Sequence, residues 1–93
     1  MQTKICKVVA QTEVTYVTSR KQDVGQMAKS TLRLREIGGQ YGDEYLCTLL
    51  GPIAEFQFMP GQIVVAALRF ATHEGPNGGL YQDITASDVV LLT

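Results

Sequence analysis

The sequence predicts an all-β fold, a single small barrel of five antiparallel strands. Three observations support this prediction. Residues 27–36 alternate with a period of two, as in a half-buried strand: one side holds Ala28, Ser30, Leu32 and Leu34, and the other holds Met27, Lys29, Thr31, Arg33 and Arg35. Segments rich in Val, Ile, Thr and Tyr recur along the chain. Stretches that contain glycine or proline separate them and are typical of turns.

The first half of the chain is predicted to contain three strands. Residues 3–18 contain neither proline nor glycine and read as one long strand. Its apolar residues change parity between Val9 and Val14, so the strand is expected to bulge or coil. Residues 27–36 form the second strand and residues 44–50 the third, joined by a glycine-rich hairpin.

The second half is predicted to contain a short helical plug and two further strands. The plug lies in residues 51–61, between the third and fourth strands, because Pro52 suits the first turn of a helix. Residues 62–72 form the fourth strand. Residues 80–92 form the fifth strand, which we expect to be interrupted near Ser87.

This order of elements corresponds to the OB fold. A meander of three strands, a helical segment that seals the base and a final hairpin can close into a five-stranded antiparallel barrel. Closure also removes most free strand edges. Because 93 residues can form only one hydrophobic core, residues 1–93 are expected to be a single OB-fold domain.

The composition is that of a soluble globular domain. Apolar residues make up 45% of the chain and charged residues 18%, which argues against disorder. The longest apolar run, residues 63–68, is too short to span a bilayer, and the N-terminus carries no apolar segment of secretory type. We therefore expect a cytoplasmic protein without membrane contacts, in which Cys6 and Cys47 are free thiols.

The formal net charge of −1 conceals a strong segregation of charge along the chain. Residues 1–35 hold seven cations and two acids, a net charge of +5, whereas residues 36–93 hold one cation and seven acids, a net charge of −6. Such segregation predicts a molecule with one basic face. The alternative is that the charge blocks average out when the chain folds.

Several short segments resemble those of a known family. They are Thr18–Ser19–Arg20–Lys21, the alternating run Thr31–Leu32–Arg33–Leu34–Arg35, Gly51, Pro60–Gly61–Gln62–Ile63–Val64, and residues 80–86. In these segments the chain resembles bacterial single-stranded-DNA-binding-protein-like OB-fold proteins, in particular small single-domain members of unknown role. The resemblance implies single-stranded DNA binding and a place in DNA replication or recombination.

The chain also departs from that family. It contains no tryptophan, on which the family's DNA-binding members often stack bases. Because the sequence stops at Leu91–Leu92–Thr93, inside or just after a strand, we also expect no flexible acidic tail of the kind that recruits partners in that family. If the chain binds single strands, we therefore expect weaker binding and no tail-mediated recruitment.

The candidate nucleic-acid-binding residues follow from the OB-fold plan, in which oligonucleotides lie across the second and third strands beneath two loops. Cations there neutralise phosphates, and aromatic rings stack on bases. The alternative is that the cations form a solvated face and the tyrosines are half-buried edges of the core. The candidates are Arg20 and Lys21 in the first loop, Lys29, Thr31, Arg33 and Arg35 on the second strand, Tyr45 on the third, and Arg69 and Tyr81 beside the second loop.

Nothing in the sequence has the arrangement of a catalytic or metal site. The single histidine, His73, lies beside a turn and has no second ligand at metal-binding spacing. The glycine clusters lack the Lys-Ser/Thr of a phosphate-binding loop. We therefore predict no enzyme activity, no catalytic residue, no metal and no cofactor.

The sequence leaves three functions open. The first is binding of single-stranded nucleic acid, with DNA favoured over RNA. The second is an OB-fold protein–protein interaction module or subunit of a replication or recombination assembly, which the acidic second half favours. The third is an oligosaccharide- or small-ligand-binding barrel. In each case we expect a homo-oligomer, a dimer or a tetramer, because the first strand and the apolar residues 89–92 can pair across a two-fold axis.

Overall fold

The computed structural model describes residues 1–18 and 25–93, which form strands and one short helix. The prediction of an all-β fold is confirmed, and the strands from residue 26 onward agree with their predicted bounds within two residues. The elements are β1 (Gln2–Gln11), β2 (Thr15–Thr18), β3 (Gln26–Glu36), β4 (Glu44–Leu50), α1 (Pro52–Glu55), β5 (Ile63–Glu74) and β6 (Leu80–Leu91).

The single long first strand predicted from the sequence is divided into β1 and β2. Both follow the same edge of β3, and the expected bulge occurs in β1, where the register shifts between Val8 and Ala10. The interruption falls at Thr12, whose hydroxyl oxygen accepts a hydrogen bond of 2.9 Å from the Thr31 N–H. Because a side chain takes the place of a main-chain carbonyl there, the regular ladder stops before β2 begins.

The strand pairings form a circuit. β1 pairs with both β3 and β5, β5 pairs with β6, and β4 pairs with both β3 and β6. The prediction of a wholly antiparallel sheet is wrong at one pairing, since β4 and β6 run parallel where Thr48 lies opposite Thr85. Five strands in a closed circuit cannot all alternate in direction, so at least one neighbouring pair must be parallel.

The core lies inside this circuit, and α1 covers one end of it. Ala54 of α1 is fully buried, and the buried hydroxyl of Ser30 donates a 3.0 Å hydrogen bond to its carbonyl. The Gln11 amide donates to the Phe56 carbonyl and accepts from the Phe58 N–H, each at 2.8 Å. The predicted helical plug is therefore present and is tied to β1 and β3. The buried apolar residues are Cys6, Val8, Ala28, Leu32, Leu34, Cys47, Leu49, Ala54, Phe58, Val64, Ala66, Leu68 and Ala86.

β5 and β6 form a long hairpin with a bulge near its middle. The pairing shifts at Ser87, between the Ala67–Asp88 and Leu68–Ala86 pairs, and the Ser87 hydroxyl donates to the Ala67 carbonyl at 3.2 Å. The predicted interruption is thus a bulge inside a continuous strand. It divides the hairpin into a part that pairs with β1 and a part that adjoins β4.

Candidate nucleic-acid interface

The predicted alternation of β3 is confirmed side chain by side chain. Ala28, Ser30, Leu32 and Leu34 are buried in the core. Between them Lys29, Arg33 and Arg35 are exposed and Thr31 is half-buried on the opposite side of the strand. The outward side of β3 therefore presents Lys29, Thr31, Arg33 and Arg35 in steps of about 7 Å, so that Lys29 lies two steps from Arg33.

The outward residues of β4 lie directly opposite those of β3. Leu50 faces Lys29, Thr48 faces Thr31, Leu46 faces Arg33, and Glu44 faces Arg35. We call this surface the basic face, defined by Lys29, Thr31, Arg33 and Arg35 of β3 and by Glu44, Leu46, Thr48 and Leu50 of β4.

Arg33 and Arg35 converge on a single carboxylate. Arg33 Nη2 lies 2.7 Å from Glu44 Oε1, and Arg35 Nη2 lies 2.7 Å from Glu44 Oε2. Hydrogen bonds from Arg35 and then from Arg33 hold the pKa of the Glu44 carboxyl below its usual value, so it stays ionised at neutral pH. Both arginines therefore point to one surface, and the trio keeps a formal charge of +1.

A shallow groove of about 200 Å³ runs beside this cluster. The aliphatic side chain of Leu46 and the guanidinium of Arg33 both line the groove. Leu46 is 65% exposed although it lies on a strand with a neighbour on each side. The alternation of side chains along β4 could have predicted this exposure. Because Cys47 and Leu49 face the core, Leu46 must face outward. The groove is lined by Ala10, Gln11, Thr12, Thr31, Arg33 and Leu46.

Arg69 joins the same surface through a row of threonines. Thr31 pairs with Thr48, Thr48 with Thr85, and Thr85 with Arg69, so four in-register positions cross β3, β4, β6 and β5. Side chains at directly paired positions point to the same side of a sheet. Counted along the sheet, Arg69 is three strands from Thr31, so the row follows the curve of the circuit round to β5.

Tyr81 lies farther along the outward side of the hairpin, where it stacks on His73. The two ring centroids are 5.4 Å apart and the planes differ by 29°. His73 Nε2 lies 3.1 Å from Asp83 Oδ2, which holds the imidazole in place. Tyr81 is about half exposed, so one part of its ring remains accessible for stacking.

Tyr45 does not lie on the basic face. It pairs with the buried Leu34 on the core side of β4, and its hydroxyl donates a 2.9 Å hydrogen bond to Glu36. Its ring meets Phe70 edge-on with centroids 6.3 Å apart. Burial, together with the Glu36 carboxylate, raises the pKa of Tyr45 to about 12. This position does not agree with a base-stacking role, because parity directs residue 45 inward whenever residue 46 faces outward.

Arg20 and Lys21, the predicted loop cations, lie outside the described residues. Within residues 1–18 and 25–93, no group of three or more metal-ligating side chains lies together. In the same part of the chain, no helix has the length and apolar character needed to cross a bilayer.

Neither the protein-family models nor the curated proteins include a match to this chain. A match exists among solved structures, the solution NMR structure of the second OB-fold domain of replication protein A from Methanococcus maripaludis. The two share 19% sequence identity with a TM-score of 0.68, and the match covers 97% of this chain and 81% of the archaeal one. The chain therefore has an OB-type fold, as predicted, and the likeness extends to the fold alone.

Proposed function

We propose that this chain binds single-stranded nucleic acid, DNA in preference to RNA, on the basic face and without catalysing a reaction. We also infer that the circuit of paired strands acts as a closed five-stranded barrel, which gives the ligand a rigid convex platform. The similarity to an OB-fold domain of a replication protein supports a place in DNA replication. A cytoplasmic location, and a role in recombination, are part of the same proposal.

The observation that carries the proposal is the concentration of cations on one continuous surface. Lys29, Arg33 and Arg35 share the outward side of β3, and the threonine row connects them to Arg69. Directly beside these four cations the outward side also holds Lys7, opposite Arg35, and three acids, Glu44, Asp83 and Asp88, which leaves a formal charge of +2 on a chain whose net charge is −1. Cations gathered in this way displace the counterions of a phosphate backbone.

The surface also provides places for bases between the cations. Leu46 offers an apolar platform next to Arg33, and Tyr81 offers a ring beside the end of the hairpin. Stacking on an aromatic ring is worth about 1–3 kcal/mol per base and depends little on sequence. The affinity is therefore expected to depend little on the nucleotide sequence and to fall steeply as the salt concentration rises.

The test is fluorescence anisotropy with a labelled oligo-dT and a labelled duplex, titrated with sodium chloride. We expect oligo-dT to bind more tightly than the duplex. The Arg69→Gln variant should lower the slope of log affinity against log salt by about 0.7, the value for one phosphate contact on a single strand. Lys4→Gln is the control and should leave the slope unchanged, because Lys4 has the core-side parity of β1 and is ion-paired with Glu36. Equal slopes in the two variants would contradict the assignment.

A protein–protein interaction module is the second candidate, favoured by the large exposed fraction of the Leu46 and Leu80 side chains. It predicts no anisotropy change with oligo-dT even at 20–50 mM salt, together with recovery of a stable protein partner. The Leu46→Ser variant should then abolish partner recovery.

A further inference from the structure

A second outward surface, formed by β1, β5 and β6, is apolar at its centre. Ile5 pairs with Val65 and Val65 pairs with Val90, which gives an aliphatic row across three strands. Ile63 lies in the next row, and the Leu92 N–H donates to its carbonyl at 2.8 Å. We call these five residues, Ile5, Ile63, Val65, Val90 and Leu92, the apolar face.

Much of the apolar face is exposed to solvent although its residues are aliphatic. Ile5, Val90 and Leu92 each keep about half of their surface open to solvent. The row on one side of the Ile5–Val65–Val90 line is Thr3, Ala67 and Asp88, and the row on the other side is Lys7, Ile63 and Leu92. An exposed aliphatic patch with a polar rim marks an interaction surface.

The charges of the apolar face are placed symmetrically about its centre. Lys7 occupies one corner, on β1 in the row of Ile63, and Asp88 occupies the diagonally opposite corner, on β6 in the row of Ala67. Among the described residues neither has an ion-pair partner. Val65 lies midway between the two corners, one strand and one row away from each.

We propose that the apolar face binds a second copy of this chain. A two-fold axis can lie between two such faces, pass over Val65 and run perpendicular to the line from Lys7 to Asp88. That operation places each lysine opposite the aspartate of the other copy and each aliphatic centre opposite its equivalent. The strands of the two sheets then cross at a steep angle, which is one of the established modes of sheet packing.

The opposite charges at symmetric corners distinguish a second copy from an unrelated partner. An unrelated protein would need only a complementary patch, whereas self-association requires the surface to complement itself. The apolar face meets that requirement in both hydrophobicity and charge.

The dimensions of the apolar face set the strength of the association. Three strand spacings and five residues along each strand give a flat area of order 240 Å². A stable interface buries about 800 Å² on each partner. The apolar face is smaller than a stable interface, so the dimer is expected to be weak and to weaken further at high salt.

Sedimentation equilibrium from 5 to 500 μM in 50 mM salt tests the proposal. The weight-average mass of the wild type should rise from 10.2 kDa toward twice that value. Lys7→Glu and Asp88→Lys should each raise the dissociation constant at least fivefold, because each creates two like-charge contacts. The double variant restores opposite charges and should return to within twofold of the wild type. Leu80→Glu, an exposed apolar position outside the face, is the control.

A monomer at all concentrations would overturn the proposal, and so would single variants that associate like the wild type. A double variant that stays as weak as the singles would overturn the two-fold geometry. Val90→Asp provides a second test, and it should abolish association while circular dichroism stays unchanged. Oligonucleotide binding by the wild type at 0.1 μM chain, where the chain is monomeric, reports on the proposed function alone, so failure here is distinguishable from failure of the proposed function.

Discussion

Replacing Glu44 with glutamine is the sharpest test of how the basic face works. Glu44 is the carboxylate on which Arg33 and Arg35 converge, each with a 2.7 Å contact. Glutamine keeps the size of the side chain and one carbonyl oxygen but removes the negative charge. The variant therefore frees one equivalent of positive charge for phosphates without altering the β3–β4 pairing.

The expected gain follows from counterion release. One further phosphate contact on a single strand steepens the slope of log affinity against log salt by about 0.7. If Glu44→Gln and the wild type bind equally at 1 M salt, the variant should bind about 5-fold more tightly than the wild type at 0.1 M and about 1.6-fold more tightly at 0.5 M. The gain should thus shrink as salt is added, which a conformational effect would not do.

The assay is anisotropy of labelled oligo-dT with the wild type, Glu44→Gln and the control Glu55→Gln, which removes an exposed acid from α1. We expect only the Glu44 variant to gain affinity. Because the pKa of Glu44 is held below its usual value, lowering the pH from 7 to 5 should not mimic the mutation in the wild type. Weaker binding by Glu44→Gln would refute the reasoning, since it would show that the carboxylate orients the arginines rather than competing with the ligand.

Three predictions concern the folded state. Gly51 has a φ of +79°, so Gly51→Ala should lower the free energy of unfolding, measured by urea denaturation, by about 1–2 kcal/mol. Gly39 has no positive φ, so the control Gly39→Ala should lower it far less. Gln11→Ala leaves the Phe58 N–H without its partner and should cost about 1–3 kcal/mol; a loss as small as that of a surface substitution would show that α1 is held by other contacts. Burial raises the pKa of Cys47 to about 12 from a usual value of 9.0, so this thiol should resist a disulfide reagent at pH 8 until denaturant is added. The contribution of the protonated thiol to the free energy of unfolding should be present below pH 9 and be lost as the pH rises toward 12. Rapid reaction of the folded protein would contradict that burial.

The parts of the fold governed by local pattern could be predicted from the sequence. The alternation of residues 27–36 depends on parity alone. Parity also indicated a bulge in the first strand, although it placed the change beyond Val9 and the register shifts between Val8 and Ala10. The parallel pairing of Thr48 with Thr85 could not be read in this way, because it is a property of the closed circuit rather than of either strand. The separation of β2 from β1 depends on the Thr12 hydroxyl meeting Thr31, a contact between residues far apart in sequence.

The candidate site could likewise be predicted from the sequence only where it depends on local pattern. The sequence grouped Lys29, Arg33 and Arg35 correctly because all three lie on one strand. It could not identify Glu44 as their partner, since that requires the register across the glycine-rich hairpin. The assignment of Tyr45 to the interface overlooked the parity that turns its neighbour Leu46 outward.

The parallel contact between β4 and β6 has a consequence for how the molecule opens. Within the described residues these two strands share one ladder position, Thr48 with Thr85, whereas every other neighbouring pair shares several. Among the paired strands of the circuit, this seam is therefore where amide protons should exchange with deuterium first. Transient parting there would unroll the sheet without disturbing the β5–β6 hairpin, and a ligand that spans the threonine row would clamp the seam shut and slow the exchange.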